Sequence, residues 1–450
     1  MPNIDRQRLD GLLSGEDARF LELHPNSRKF FERARQSLFG GVPMLWMMRW
    51  AGAFPIFAQD ALGAHFTDVD GHNYIDFCLG DTGAMTGHAP AATVQAIQRQ
   101  TSRGITLMLP YEDVIWVGEE LQRRFGLPVW QFALSATDAN RFALRMAREV
   151  TGRPKVLVFN HCYHGSVDEA FIVLDEEGTP MSRAHNIGPQ INPTQTTKVI
   201  EFNDVAALET ALAACDVAAV LAEPVMTNMG IIHPEPGFHE ALRGLSRRTG
   251  TLLIIDETHT ICAGPGGYTA EHDLQPDFLT LGKPIAGGVP AAVYGFSQEV
   301  AERFSARLAR DDADVGGVGG TLAGNALSIA AMKATLEEVL TSEFYEKAIC
   351  LQERFTAGVE AVISEYDLPW TVSRLGNRSE YWFQPALPRN GGQAFAALDH
   401  DLDRYMHLFA LNRGILLTPF HNMALICADT TEADVDSHTR VFREAVISLL

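Results

Sequence analysis

The sequence predicts an α/β protein whose parallel sheet is buried, followed by a smaller α+β region. Four short and mostly apolar runs alternate with helical windows, at residues 155–159, 218–222, 251–256 and 278–281. Strands that are apolar on both faces are typical of parallel sheets covered by helices. Functional residues of such sheets lie at the carboxyl ends of the strands. We therefore expect the chemistry of this protein in the loops that follow these runs.

The other elements suggest how the chain is divided. An amphipathic helical pattern covers residues 8–38 with a break at 24–26, and a hairpin with an Asp-Gly turn covers 64–78. The C-terminal part alternates helical and strand patterns, at 325–339, 343–366, 370–374, 381–383, 400–412 and 414–418. We predict three parts, namely an N-terminal segment that packs with the small domain and the active-site entrance, a large domain and a C-terminal small domain, at 1–63, 64–330 and 331–450.

Composition excludes several classes of protein. The 450 residues carry 36 Lys+Arg against 56 Asp+Glu, a formal net charge of −20, which argues against nucleic acid or anionic membrane as partners. The six cysteines are far apart, so neither a disulfide framework nor a zinc site is expected. The N-terminus lacks the apolar stretch of a signal peptide, and no window is apolar enough to span a membrane. These features favour a cytoplasmic protein.

Asp256 and Lys283 are the strongest candidates for catalysis. Asp256 ends one apolar run, and Lys283 follows the next run within Thr280-Leu-Gly-Lys-Pro. Burial among apolar residues would favour a neutral amine, which Schiff-base chemistry requires, and a carboxylate can keep a pyridine nitrogen protonated. Each residue taken alone also has an ordinary interpretation, since Asp256 could cap a helix and Lys283 could form an ion pair.

Two further segments suit the binding of a phosphorylated ring. Ser135 and Thr137 open a strongly helical run, where backbone N–H groups bind phosphate, although a plain N-cap explains them equally well. A glycine-rich loop at 314–325 is a weaker phosphate-binding candidate. The run His161-Cys-Tyr-His164 could suggest a metal, but we favour Tyr163 stacking on a flat ring and a hydrogen-bonded His164, and no metal site is predicted.

The segment 40–50 is unusual because it contains two tryptophans and three methionines beside a Gly-Pro turn. It is too irregular for a surface helix and too apolar for a simple loop. One interpretation is a segment packed on the core. The other is a wall of an apolar pocket, since Met and Trp fill irregular cavities.

Taken together and in this order, the motifs resemble the class III aminotransferases of the fold-type I enzymes that use pyridoxal phosphate (PLP). The similarity is greatest to the branch that contains glutamate-1-semialdehyde 2,1-aminomutase and β-phenylalanine aminotransferase. It runs from about residue 26 to the end of the chain. The matching segments are residues 68–77, 135–139, 151–153, 163–165, 223–224, 228–230, 256–257, 281–283 and 319–325.

The resemblance implies a large domain with a mixed, mostly parallel seven-stranded sheet and a smaller α+β domain. It also implies roles for the catalytic residues Lys283, Asp256 and Tyr163. Lys283 would hold PLP as a Schiff base and then move the proton between substrate and cofactor. Asp256 would pair with the pyridinium nitrogen, and Tyr163 would stack on the ring.

The remaining cofactor contacts are also implied by the resemblance. Asn228 would hydrogen-bond the phenolic oxygen, supported by Glu223, and Thr258 would lie beneath the ring where a Val is common. The phosphate would be held by Ser135, Ala136 and Thr137, joined by Thr321 of the other subunit, so a homodimer is expected.

The substrate side departs from the pattern of the family. The resemblance aligns Leu45–Met47 with a carboxylate-binding Arg of relatives, and it aligns Phe420 with a second such Arg. Met423 occupies the position of the gating Glu of the aminomutase. Because a buried carboxylate without a partner is costly, these changes argue against the aminomutase. Arg49, Arg378 and His421 are candidate substitutes. The expected substrate pocket is roomy and apolar, formed by Trp46, Met47, Trp50, Phe420 and His421.

The interpretation favoured by the sequence is a PLP-dependent ω-type aminotransferase with ping-pong kinetics. It would move an amino group between a bulky hydrophobic amine or β-amino acid and a keto acid or aldehyde. The alternatives are an aminomutase or amino-acid epimerase of the same fold, or a catalytically silent binding protein of that fold.

Overall fold

The structure is a computed structural model that describes residues 4–188, 192–309, 314–419 and 421–450. The chain divides into two compact units, and the first takes residues from both ends of the chain. Unit 1 comprises residues 1–90, 343–387 and 397–450, and unit 2 comprises residues 91–342 and 388–396. The division into three parts that the sequence suggested stays a prediction.

The strands of the described residues, in chain order, are β1 (Ala58–Leu62), β2 (His65–Asp68), β3 (Asn73–Asp76), β4 (Val129–Ala133), β5 (Lys155–Phe159), β6 (Ile172–Leu174), β7 (Pro180–Ser182), β8 (Thr197–Ile200), β9 (Val217–Ala222), β10 (Leu252–Asp256), β11 (Phe278–Leu281), β12 (Ala292–Phe296), β13 (Thr371–Leu375), β14 (Arg378–Trp382), β15 (Ile415–Leu416) and β16 (Met423–Leu425).

The α-helices are α1 (Arg6–Leu23), α2 (Pro25–Ala34), α3 (Ala91–Thr101), α4 (Asp113–Phe125), α5 (Ala136–Thr151), α6 (Val205–Leu212), α7 (Phe238–Thr249), α8 (Gly267–Glu271), α9 (Gln298–Leu308), α10 (Ala326–Ala334), α11 (Ser342–Glu365), α12 (Gly391–Ala396), α13 (His400–Leu411) and α14 (Glu432–Leu449). Short 3₁₀ turns include Leu45–Met48, Thr260–Ala263 and Lys283–Ala286, and a π-helical turn, Thr335–Val339, follows α10.

Unit 2 is built on a seven-stranded sheet in the order β4-β12-β11-β10-β9-β5-β8. β12 is antiparallel to both of its neighbours, and the pairs from β11 to β8 are parallel, so the predicted mixed and mostly parallel sheet is confirmed. Every residue of β9, β10 and β11 is buried, as expected of strands covered on both faces. The carboxyl ends of β4, β5, β9, β10 and β11 therefore share one edge.

Unit 1 contains a four-stranded sheet, β1-β2-β3-β15, and a three-stranded sheet, β13-β14-β16. Its larger core packs α1, α11, α13 and α14 around buried residues such as Phe77, Phe355 and Tyr405. The helix predicted over 8–38 is two helices, because His24 and Pro25 interrupt it, as the break in the pattern indicated. The hairpin predicted over 64–78 is β2 and β3.

A buried polar group lies beside this hairpin in unit 1. His24, Asp68 and His72 form the one cluster with metal-ligand spacing that the described part of the chain contains. Their atoms bond to one another and to Tyr74, with His72 Nδ1 3.1 Å and the Tyr74 hydroxyl 2.9 Å from one Asp68 oxygen. This network anchors α2 to the hairpin.

All six cysteines are free thiols. Among the described residues, none of the helices is both long enough and apolar enough to cross a bilayer.

Candidate active site

Asp256 is the last residue of β10 and is buried at the carboxyl edge of the unit 2 sheet. One of its oxygens accepts hydrogen bonds from His164 Nδ1 at 2.9 Å and Asn140 Nδ2 at 2.8 Å. The other accepts from the backbone N–H of Thr258 at 3.0 Å. Residues of α5 and of two loops thus orient one carboxylate, and the helix-cap interpretation does not account for the His164 contact.

The charges of Asp256 and His164 follow from the surroundings of these two side chains. Burial raises the pKa of Asp256, but the hydrogen bond and charge of His164 outweigh burial and hold that pKa well below its usual range. Burial lowers the pKa of His164, but the neighbouring Cys162 and the Asp256 carboxylate raise it above its usual value. The pair is therefore a carboxylate facing an imidazolium. An ionised carboxylate at this position is what a protonated pyridine ring needs as a partner.

Lys283 follows β11 by two residues, and β11 is the parallel neighbour of β10. Its φ of +49° lies in the left-handed region, which costs a non-glycine residue of the order of 1 kcal/mol. Such backbone strain is concentrated at functional sites. The side chain is half-buried, and Nζ lies 2.8 Å from His259 Nε2. A solvated surface ion pair is therefore not the environment of Lys283.

The phosphate-binding segment that the sequence predicts is the N-terminus of α5, Ser135–Thr137, which we call the phosphate cradle. Ser135 is the N-cap, and its hydroxyl accepts from the N–H of Asp138 at 3.2 Å. The first N–H groups of a helix, here those of Ala136 and Thr137, have no partner within the helix and suit an anion. Gly282, the neighbour of Lys283, approaches this turn so closely that a Cβ would lie 3.1 Å from the nitrogen of Ala136.

Gly165 joins the loop after β5 to the same turn. Its φ is +77°, and a Cβ there would lie 2.0 Å from the Thr137 hydroxyl oxygen. That oxygen accepts from the N–H of Ser166 at 3.0 Å, so Thr137 cannot move without breaking a hydrogen bond. The close approach ties the Tyr163 loop to the cradle.

We expect Gly165→Ala to destabilise the protein by about 3 kcal/mol, from left-handed strain plus overpacking. Urea denaturation followed by circular dichroism measures the change. Gly178→Ala is the matched control, because Gly178 has φ +76° with no atom within 4 Å of its Cβ position. The control should lose only about 1 kcal/mol. Equal losses in the two variants would show that the approach to Thr137 is unimportant.

Glu223, Asn228 and Thr258 lie on the same edge of unit 2. Burial raises the pKa of Glu223 to about 7, and its carboxyl group accepts from both the backbone and the hydroxyl of Thr227. Asn228 Nδ2 donates to the carbonyl oxygen of His161 at 2.7 Å. The side chain of Thr258 is buried next to Asp256, and a hydrogen bond from Thr258 is among the contacts that lower the pKa of that carboxylate.

These residues fit PLP. The ionised Asp256 suits the pyridinium nitrogen, and the first N–H groups of α5 suit the phosphate. Half-buried Tyr163 lies in the loop between His161 and Gly165. The roles assigned to single residues are proposals that this geometry supports.

The predicted substrate-pocket residues and Thr321 belong to different units of the chain. Thr321 is exposed in unit 2. Trp46, Met47, Trp50 and His421 all belong to unit 1, while Phe420 lies outside the described residues. Trp46 and Met47 are 43% and 38% exposed, whereas Val42 is buried and Trp50 is half-buried, so the middle of the segment 40–50 is not packed on the core among the described residues. Its 3₁₀ turn buries no residue.

The three candidate substitutes for a carboxylate-binding Arg also lie in unit 1. Arg378 is fully buried in β14, with Nη1 2.8 Å from the Met423 sulfur and Nη2 bonded to the Thr82 hydroxyl. His421 Nδ1 lies 3.5 Å from Glu380; burial lowers the pKa of His421, but the Glu380 carboxylate raises it. Arg49 is exposed.

Sequence reasoning missed His259. It lies three residues after Asp256 in Asp256-Glu-Thr-His-Thr260, and a histidine so soon after a strand-end aspartate was a usable signal. Its contact with Lys283 depends on β10 and β11 being neighbours, which the sequence alone did not establish.

The fold and the site together define a fold-type I PLP-dependent enzyme. The profile of the family Aminotransferase class-III matches residues 46–436. The chain belongs to the class III aminotransferases, a PLP-dependent family of enzymes.

Named relatives refine this picture. The chain is 33% identical over 433 residues to a glutamate-1-semialdehyde 2,1-aminomutase of Desulfitobacterium hafniense, covering 94% of this chain and 98% of that protein. A crystal structure of a glutamate-1-semialdehyde-aminomutase from Pseudomonas aeruginosa PAO1 has a TM-score of 0.97 and 51% identity, covering 99% of this chain and all (100%) of that one. A lysine-to-alanine variant of it, in complex with PMP, matches with the same TM-score of 0.97 and the same identity and coverage of 51%, 99% and 100%.

A β-phenylalanine aminotransferase from Variovorax paradoxus is more distant. Its structure has a TM-score of 0.85 and 26% identity, covering 97% of each chain. These relatives favour the aminomutase alternative over the ω-aminotransferase interpretation that the sequence suggested. Only a few substrate-side positions spoke against an aminomutase, whereas the similarity to the aminomutases extends over 94% and 99% of this chain.

Proposed function

We propose that this enzyme is a PLP-dependent aminomutase that exchanges an amino group between adjacent carbons of glutamate-1-semialdehyde. The observation that carries this proposal is the 51% identity, over 99% of this chain, to a structure described as such an aminomutase. The buried Asp256–His164 pair and the strained Lys283 support the same cofactor chemistry.

When bound, PLP withdraws electrons from the substrate carbon that carries the amine, so that this carbon can lose a proton. Lys283 would hold the cofactor and then take the proton from that carbon and return it. Asp256, kept ionised by His164, would keep the ring nitrogen protonated. The first turn of α5 would bind the phosphate through backbone N–H groups, and Tyr163 would cover the ring.

We also propose a homodimer with shared active sites. Four apolar side chains of unit 2, Ile105, Leu107, Met108 and Leu109, are 48% to 76% exposed. Four exposed apolar side chains within five consecutive residues favour a protein interface at this segment. Thr321 is exposed as well, in keeping with a contact to the cofactor of a second subunit.

The proposed function is tested by asking whether the reaction needs an added keto acid as acceptor of the amino group. We expect the holoenzyme to convert glutamate-1-semialdehyde completely into its amino-shifted isomer with no keto acid present. Product would be followed by NMR with and without pyruvate or 2-oxoglutarate. The amino group stays within one substrate in a mutase, so added keto acid should not change the rate.

A specific observation favours a second candidate, the aminotransferase for a bulky hydrophobic amine. Trp46 and Met47 are exposed apolar side chains of unit 1, and the resemblance places them and Met423 at positions of charged residues in relatives, which would suit an apolar substrate. A panel of aromatic amines and β-amino acids with pyruvate would detect this activity. If the enzyme converts these amines only when the keto acid is present and does not convert glutamate-1-semialdehyde, the aminomutase proposal is contradicted.

A further inference from the structure

The contact between Lys283 and His259 has no role in the chemistry described so far. Lys283 Nζ lies 2.8 Å from His259 Nε2, a hydrogen-bonding distance between two side chains of unit 2. His259 is the N-cap of the 3₁₀ turn Thr260–Ala263. It follows the end of β10 by three residues, and Lys283 follows the end of β11 by two.

His259 is held in place by its neighbours along the chain. The N–H of Thr258 donates to Asp256 at 3.0 Å. On the other side, the hydroxyl of Thr260 donates to the buried Glu257, whose carboxylate also accepts from the N–H of Thr269 at 2.5 Å. The backbone on both sides of His259 is therefore fixed to buried carboxylates, and the imidazole is aimed at Lys283.

Resting on the proposed function, we infer that His259 is a positioning residue that accepts a hydrogen bond from Lys283 and stabilises its protonated form. A neutral lysine amine has two N–H groups and one lone pair. Donating one N–H to Nε2 restricts rotation about the last bond of the side chain and so limits where the lone pair points.

The hydrogen bond also responds to the reaction. As Nζ takes the proton from the substrate carbon, the carbon–hydrogen bond breaks, an N–H bond forms and the amine becomes an ammonium; the bonding electron pair stays on the carbon, from which bound PLP would withdraw it. The hydrogen bond to His259 then becomes charge-assisted and roughly twice as strong. Because it strengthens only as the proton is transferred, it lowers the barrier rather than tightening substrate binding.

The same contact has the opposite effect on a different step. Attachment of PLP to cofactor-free protein requires the neutral amine of Lys283. An acceptor that stabilises the ammonium holds back this attachment. Loss of His259 should therefore speed attachment and slow turnover, whereas general damage to the site would slow both.

The test compares His259→Ala, His259→Gln and His272→Gln with the wild type. Glutamine keeps an acceptor, and His272 is a matched control because it lies in unit 2, is exposed and stacks on Tyr268. Attachment of PLP to cofactor-free protein is followed by stopped-flow absorbance at pH 7.5. Turnover of glutamate-1-semialdehyde gives kcat and KM.

In His259→Ala we expect attachment about threefold faster and kcat about tenfold lower with KM unchanged, the effect of losing one charge-assisted hydrogen bond. His259→Gln should recover most of both effects, and His272→Gln should match the wild type. Slower attachment together with slower turnover, or a glutamine variant no better than alanine, would overturn the inference.

Failure of the proposed function is a separate outcome. If wild-type protein does not convert the semialdehyde, the aminomutase proposal fails. The attachment rates, which need no substrate, then decide the role of His259 on their own. Equal attachment rates in the wild type and His259→Ala would contradict it.

Discussion

Replacing Lys283 by alanine is expected to lower turnover by about ten-thousand-fold, the upper range for loss of a positioned acid–base group. The variant loses both the amine that holds the cofactor and the base that moves the proton. It should still bind PLP through the phosphate cradle, but without covalent attachment. Steady-state turnover and the absorbance of bound PLP measure the two effects.

Lys198→Ala is the control for this variant. Lys198 also belongs to unit 2, and its ammonium lies 2.6 Å from Asp216, so the change removes a paired lysine away from the strand ends that carry the site. It should retain the cofactor absorbance and turnover. Wild-type turnover in Lys283→Ala would refute the assignment.

Asp256→Asn is expected to lower turnover by about 10² to 10³-fold, since it removes a preorganised charge without changing size. Cofactor-free protein should also lose about 3 kcal/mol of stability, because the buried His164 imidazolium loses its counter-ion. Steady-state turnover measures the loss of activity, and urea denaturation of the cofactor-free protein measures the loss of stability.

The pH dependence of stability gives a second signature of the same pair. Because Cys162 and Asp256 together raise the pKa of His164 to about 10, against the lowering effect of burial, the stability that His164 contributes is complete below about pH 6.5 and is lost as the pH rises toward 10. Wild-type cofactor-free protein should therefore become less stable over that interval. The Asp256→Asn variant should show a smaller slope, because it loses the contribution of Asp256 to that pKa but keeps the contribution of Cys162.

Asp277→Asn is the matched control for Asp256→Asn. Asp277 is buried and ion-paired with Arg243 at 2.6 Å, but it precedes β11 and so lies at the opposite edge of the sheet. This variant should lose stability while keeping its cofactor absorbance and turnover per folded molecule. A similar loss of turnover in both variants would mean that Asp256 acts only through stability.

The sequence predicted the sheet of unit 2 well because its signal is local. The runs at 155–159 and 278–281 coincide with β5 and β11, since buried parallel strands must be apolar along their whole length. Asp256 and Lys283 were found for the same reason, as the polar residues that follow such runs.

Features that depend on contacts between strands were not predictable. The left-handed backbone of Lys283 and its contact with His259 require β10 and β11 to be neighbours. The segment around Trp46 shows a second limit. Its apolar composition suggested burial, yet composition does not say whether an apolar side chain is covered by its own chain, by a ligand or by solvent.

The most direct measurement is the site at which PLP becomes attached. The holoenzyme is treated with borohydride, which fixes the cofactor to the lysine that holds it, then digested and analysed by mass spectrometry. We predict that the added mass lies on the peptide containing Lys283 and on Lys283 itself. Labelling of a different lysine, or none in protein that carries PLP, would contradict the active site described above.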